Sequence, residues 1–157
     1  MQRSVNDKVR LGLFAVILIF AGSSCKSVLE ITPVDYSVML ETVLKPDENG
    51  FVVDRGYGVQ FNVKPVHFLE TGDSTQVHPE FRFIRDSSGF YYLTSAGYRN
   101  VYILKPDDAK LKLHKQVLIT EAGLSRPAFN QRNPVIQLID GESMTYVLNK
   151  DGLVGAQ

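Results

Sequence analysis

The chain has 157 residues, 17 Lys and Arg against 17 Asp and Glu, a formal charge of zero and a single cysteine. This length suits one domain, and a lone cysteine excludes an internal disulfide. The balanced, interspersed charges exclude the basic surface with which proteins neutralise nucleic-acid phosphates.

The first 24 residues show the three parts of a secretory signal peptide. Three basic residues among the first ten are followed by an apolar run over 11–20 and by small residues at 21–24. The apolar run is shorter than the roughly 20 residues that a membrane-spanning helix needs. We therefore expect residues 1–24 to be a cleaved leader, with a retained signal anchor as the weaker alternative.

The leader ends in Gly22-Ser23-Ser24-Cys25, which resembles the lipobox of bacterial lipoproteins. In that family the cysteine sulfur receives diacylglycerol, the leader is cut before the cysteine, and the new amino group is acylated. The resemblance implies a stable bilayer anchor at Cys25, since two or more acyl chains hold a protein on a membrane. Gly22 stands where typical lipoboxes carry Leu. The alternative is an ordinary signal peptide cut near Ser23, with Cys25 as a free thiol.

Residues 25–33 are predicted to be the lipidated cysteine and a short tether. The eight residues after Cys25 reach about 26–29 Å when fully extended, so the domain is expected close to the membrane. Lys26 stands where Asp would signal inner-membrane retention in some bacteria, so the resemblance implies the cell envelope, with the outer membrane favoured. Without the leader the chain keeps 14 basic and 16 acidic residues, a formal charge of −2.

Residues 34–157 are predicted to form one β-rich domain, because apolar and polar residues alternate with a period of two. The predicted strands cover residues 36–44, 59–64, 81–84, 90–94, 101–104, 111–120, 135–139 and 144–148. Turn residues separate many of them, as at Asn49-Gly50, 86–89 and Asp140-Gly141. We therefore expect an all-β fold, a single small antiparallel β-sandwich or barrel of about eight strands.

Three stretches interrupt this alternation. Pro65 breaks the second strand, so residues 66–69 are expected to continue it past a bulge or to form an edge. Residues 121–134 are expected to be a long irregular segment, and residues 150–157 a frayed end. No stretch shows helical periodicity over the length of a helix.

The most unusual composition lies in residues 125–134, where arginines, amides and one phenylalanine are bracketed by prolines. Long ordered loops on a rigid sheet often carry binding, and Arg beside an aromatic anchor is typical of interface hot spots. The alternative is a loop crossing between sheets, with Phe129 plugging the core. A second arginine corner follows Gly97 and is a candidate neighbour. The candidate binding residues are Arg126, Phe129, Arg132, Tyr98 and Arg99.

Motifs for catalysis or metal binding are weak in this sequence. A Gly-x-Ser-x-Gly elbow is absent, and Cys25 is assigned to lipid. The three histidines lack ligand-pair spacing, and the ligand-type residues of the 70–80 segment are better explained as a solvated polar loop. The histidines are His67, His78 and His114. We therefore predict no catalytic residue, metal or cofactor; a hydrolase would need one of these histidines beside a serine and a carboxylate.

Four tyrosines between residues 91 and 102 raise the question of a sugar-binding platform. Alternate residues of a strand face opposite sides, so Phe90 with Tyr92 and Tyr91 with Leu93 form two sets, and one set is expected to be core. The favoured hypothesis is a non-enzymatic accessory subunit or interaction module of an envelope complex, with a protein partner. The alternative is a domain that binds a glycan or another small molecule at the membrane surface.

Overall fold

The computed structural model describes residues 40–73, 75, 78, 80–108, 110–142 and 144–156. The predicted leader, the predicted lipidation site Cys25 and the predicted tether lie outside these residues. The elements are β1 (Thr42–Leu44), β2 (Phe51–Asp54), β3 (Val59–Asn62), α1 (Lys64–Thr71), β4 (Phe81–Arg85), β5 (Tyr91–Thr94), β6 (Asn100–Asp107), β7 (Lys110–Leu118), β8 (Pro127–Arg132), β9 (Val135–Asp140), β10 (Met144–Asn149) and β11 (Gly152–Ala156). Within the described part of the chain, no helix is long and apolar enough to cross a membrane.

The strands form three antiparallel sheets. A five-stranded sheet has the order β1-β4-β5-β6-β7, a four-stranded sheet has the order β11-β10-β9-β8, and β2 pairs with β3. The prediction of an all-β, antiparallel fold is confirmed. The prediction of a single sandwich or barrel of about eight strands is corrected to three sheets, because more segments pair than local alternation indicates.

The five-stranded sheet is covered on both faces. On β5, Tyr91 and Leu93 pack with Val52 of the β2–β3 hairpin and Val66 of α1. Tyr92, between them, belongs to a second core cluster shared with the four-stranded sheet. Side chains of both sets are therefore core, where the sequence had assigned one set to the core. A sheet between two layers needs apolar side chains on both faces, so its strands lose the apolar–polar alternation.

Residues 66–69 form part of helix α1 and not a strand. Pro65 lies in the first turn of the helix, where its missing N–H costs nothing. Gly72 ends the helix in the left-handed conformation, at φ 76°, and its N–H donates to the carbonyl of Phe68. The apolar run between these two residues is too short for periodicity to distinguish helix from strand.

Three further segments pair where none was expected. Residues 51–54 form β2, which pairs with β3. Residues 127–132 of the predicted irregular segment form β8, with Phe129 opposite Leu138 of β9. Its buried positions alternate, but they include a proline and Gln131, so the pattern does not look hydrophobic. The predicted frayed end contains β11, which pairs with β10.

Candidate functional site

Arg126 and Arg132 lie at opposite ends of β8. Arg126 precedes the strand and Arg132 ends it, so about 20 Å of extended chain separates their backbones. The prediction of one arginine-rich binding loop is therefore wrong in its geometry. Arg126 is exposed and pairs with Glu142 at 3.7 Å, and the Nε of Arg132 donates to Gln137 Oε1 at 3.3 Å. Each arginine belongs to a different surface.

Phe129 and Tyr98 point into the protein. Phe129 is 6% exposed and packs edge-on against Tyr92, with ring centroids 6.5 Å apart. Tyr98 is 1% exposed. Both side chains thus have a packing role, which for Phe129 is the core-plugging alternative that the sequence left open.

The Tyr98–Arg99 corner lies against the chain just before the arginine-rich segment. The backbone N–H of Leu124 donates to the carbonyl of Tyr98, and that of Ile119 donates to the carbonyl of Arg99, both at 2.8 Å. Arg99 itself is half-exposed and lies within 3.8 Å of Glu121. The structure therefore brings this corner beside residues 119–124, which precede the arginine-rich segment of residues 125–134.

A buried carboxylate beneath Arg99 fastens α1 to the central sheet. Glu70 accepts hydrogen bonds from the backbone N–H of Arg99 at 2.6 Å, from Asn100 Nδ2 at 2.9 Å and from the Tyr102 hydroxyl at 2.7 Å. Burial, and then the hydrogen bond to Glu70, raise the pKa of the Tyr102 hydroxyl. Three partners for one carboxylate make Glu70 a structural clamp and not a free metal ligand.

Two histidines meet edge-on beside this clamp. His67 is buried, and its Nδ1 lies 2.8 Å from the Tyr98 hydroxyl. The ring of His78 lies 6.2 Å from that of His67 and 5.6 Å from that of Tyr98. Burial, and then the proximity of His67, lower the pKa of His78. Among the described residues, no group of three or more His, Cys, Asp or Glu side chains is placed to hold a metal ion.

The arrangement required of a hydrolase does not occur at the two serines that line a cavity with His78. Ser95 Oγ donates to the backbone carbonyl of Glu80 at 2.6 Å, and Ser125 Oγ donates to Asp140 Oδ1 at 3.0 Å. In both cases the hydroxyl donates its proton to an oxygen atom and not to a histidine nitrogen. These serines therefore lack the base that activates a nucleophile.

His78 and Arg126 line a cavity of about 350 Å³ at this end of the molecule. Arg82, in its wall, lies 3.4 Å from Glu41 and 4.0 Å from Glu80. Since Arg126 also has a carboxylate partner, both guanidiniums in this cavity are already compensated. The cavity therefore offers little attraction to an anionic ligand.

A second surface, which the sequence did not predict, is apolar and exposed. Phe68 and Leu69 of α1 and Leu113 of β7 are 53%, 50% and 45% exposed. Leu69 and Leu113 line a cavity of about 150 Å³ between the helix and the sheet. Phe68 lines an adjoining depression of about 430 Å³, and Pro65 lines both. We call these four residues the α1–β7 surface; clustered exposed apolar side chains mark interaction sites.

This surface borders a free sheet edge. Strand β7 is the last strand of the five-stranded sheet and pairs only with β6 among the described strands. It is nine residues long, whereas β1 at the opposite edge has three. The sequence does contain a signal that would have located this surface. Pro65 and Gly72 stand at the two ends of the segment and predict a helix start and stop. A helical assignment would have placed Phe68 and Leu69 on an amphipathic face.

No protein-family model matches the chain, and no curated protein sequence or solved structure is significantly similar to it. The fold and surfaces define an all-β domain that combines an exposed apolar face with an unpaired sheet edge. Because fold alone does not determine function, the function has to be inferred from the chemistry of these surfaces.

The histidine cluster predicts a pH dependence of stability. Because the pKa of His78 is lowered in the folded protein, the unfolded chain takes up this proton first as the pH falls. We expect the free energy of unfolding to decrease from about pH 7.5 to about pH 5.5, and His78→Gln to reduce that decrease. Urea unfolding at several pH values measures it. The exposed His114→Gln is the matched control, and equal slopes for wild type and His78→Gln would contradict the assignment.

Proposed function

We propose that the protein is a lipid-anchored, non-enzymatic interaction module, an accessory subunit of a cell-envelope complex that holds a partner protein on its α1–β7 surface. Acylated Cys25 supplies the bilayer anchor, and the outer membrane is the favoured location. The observation that carries the proposal is the exposed apolar cluster of Phe68, Leu69 and Leu113 beside an unpaired edge.

Part of the apolar surface of these three side chains is still exposed to water. Fully burying a Phe or Leu side chain is favourable by about 1.5–3 kcal/mol. Phe68, Leu69 and Leu113 each remain about half exposed, so roughly half of that gain is left for a partner. Because the three are adjacent, a single partner surface can cover them together.

The surface is also held rigidly. Glu70, one residue from Leu69, is hydrogen-bonded to three groups of the sheet, and His67 is hydrogen-bonded to Tyr98. Val66 is buried in the core on the inner side of the helix. A helix fixed in this way loses little conformational entropy when a partner binds.

The short predicted tether indicates where in the cell envelope the partner is located. From Cys25 to Leu40, the first residue that the structure describes, the 15-residue chain spans at most about 50 Å. A domain held within that distance of a bilayer meets proteins in or on the membrane. This favours a membrane-associated partner.

The alternative function, binding of a glycan or another small molecule, is favoured by a different cavity. A space of about 340 Å³ is lined by Tyr91, Gln60, Asp108 and Lys110 together with apolar residues. An apolar wall with a few polar groups is typical of small-molecule sites. Tyr91 is the only tyrosine in this lining, and it is 5% exposed.

The anchor is tested by Cys25→Ser. We expect this variant to lose metabolic labelling with an alkyne fatty acid and to leave the membrane fraction, because no sulfur remains to carry diacylglycerol. The neighbouring Ser27→Ala is the control and should keep both label and membrane association. Fatty-acid labelling that persists in Cys25→Ser would refute the lipobox assignment.

The binding surface is tested by the double variant Phe68→Ser and Leu113→Ser. We expect a stoichiometric partner to co-purify with tagged wild-type lipoprotein from gently solubilised membranes and to be lost from the variant. Both side chains are about half exposed, so the variant should stay folded, with a modestly lower melting temperature. Quantitative mass spectrometry measures the partner.

Met144→Ser is the matched control, since Met144 is 44% exposed and lies on β10. A partner retained in wild-type amount by the double variant would contradict the proposal. A wild-type preparation without a partner, together with thermal stabilisation by a sugar that Lys110→Ala removes, would establish the small-molecule alternative instead.

A further inference from the structure

We propose that β7 receives an extended segment of the partner protein, which adds to the five-stranded sheet as a sixth strand and alternates acidic with apolar residues. This inference rests on the proposed function and specifies the chemistry of its partner. Strand addition is a recurrent mode of recognition, in which backbone hydrogen bonds give affinity and alternate side chains give specificity.

Strand β7 is the most open of the four sheet edges that the structure describes in the two larger sheets. It offers nine residues, about 30 Å of strand. At the edge of β8, the backbone N–H of Phe129 is already bonded to Glu41 Oε1 at 2.7 Å. Strand β11 has five residues, two of them glycine, and β1 has three. The free backbone groups needed for strand addition are therefore concentrated on β7.

One face of β7 specifies apolar partner residues. Leu111 packs against the core cluster beneath α1, and Leu113 lines the cavity between helix and sheet with Leu69. Alternate side chains of an added strand fall beside these leucines, since strand neighbours share a face. Valine, isoleucine or leucine at those positions would cover Leu113 and extend over Leu69.

The opposite face of β7 specifies acidic partner residues. Lys112 alternates with the two leucines and forms an ion pair with Asp107 at the end of β6. Lys115 lies on the side of β11, where its ammonium donates to the carbonyl of Asp151. Residues 105–118 carry four lysines and two aspartates, in a mature chain whose predicted charge is −2. This hairpin is thus locally basic, and Lys110 has no ion-pair partner within the described part of the chain.

The same charges argue against a second copy of this chain as the occupant. Two β7 edges paired with each other would place lysines of one copy near lysines of the other, and like charges across a strand pair are destabilising. The register shift between Ile103 and Leu104 adds a bulge to the β6–β7 pair. Edge lysines and bulges discourage indiscriminate pairing, so a strand has to bring complementary charge.

The test uses the purified full-chain lipoprotein in detergent and synthetic eight-residue peptides. The probe alternates Glu and Val; its counterpart alternates Lys and Val. Two further forms of the Glu peptide carry N-methyl groups on alternate residues, in one register or the other. We expect the Lys peptide to bind about tenfold more weakly than the Glu peptide. One N-methyl register should bind like the unmodified peptide and the other about tenfold more weakly, because only one set of N–H groups faces β7.

A variant that only loses binding could be misfolded, whereas a charge-reversed protein is expected to gain binding of the opposite peptide. Lys110→Glu with Lys115→Glu leaves the Lys112–Asp107 ion pair intact. This variant is expected to reverse the preference, so that the Lys peptide binds more tightly than the Glu peptide. Fluorescence anisotropy measures every pair.

Equal binding of the two N-methylated registers, an unchanged preference in the charge-reversed protein, or a stable homodimer that the Glu peptide does not displace would each overturn strand addition. If the peptides fail while Phe68→Ser with Leu113→Ser still removes the co-purifying partner, the proposed function stands and only this inference fails. If both fail, the α1–β7 surface itself is not the binding site.

Discussion

Burial of both faces of the five-stranded sheet is the constraint on which the other elements depend. Its strands send Tyr91 and Leu93 toward the hairpin and helix, and Tyr92 toward the four-stranded sheet. The β2–β3 hairpin and the helix would be marginal alone, since a two-stranded hairpin is barely stable in water and so is an eight-residue helix. Their stability comes from the apolar faces that they bury against this sheet.

The same packing produces the exposed surface. Glu70 and His67 fix one side of α1 to the sheet through hydrogen bonds to the Tyr98–Tyr102 region, which leaves Phe68 and Leu69 turned outward beside the last strand. Among the described strands, none pairs with the outer edge of β7. The surface is thus a by-product of the way the helix packs on the sheet, and the proposed partner would complete the layer.

Local signals predicted much of the fold. Strands β4–β7, β9 and β10 were found from their apolar residues and from turn residues such as Gly89 and Gly141, whose positive φ favours glycine. Helix α1 was missed because eight residues are too few for helical periodicity to be distinguished from a strand. Strand β8 was missed because its buried positions include a proline and Gln131, and β2 and β11 were not predicted as strands. The site was predicted less well: Arg126 and Arg132 looked like one loop, because the pairing of residues 127–132 with β9 is not visible in the sequence.

Hydrogen exchange of the full-chain protein, compared between gently solubilised membranes and the purified protein, tests the central claim most directly. Backbone amides of β7 and of residues 64–71 are predicted to exchange more slowly in the membrane extract, because a partner covers the α1–β7 surface. The edge strand β11 serves as the internal reference and should exchange equally in both samples. Equal exchange of β7 in the two samples, or slower exchange confined to the region of Arg126, would contradict the account.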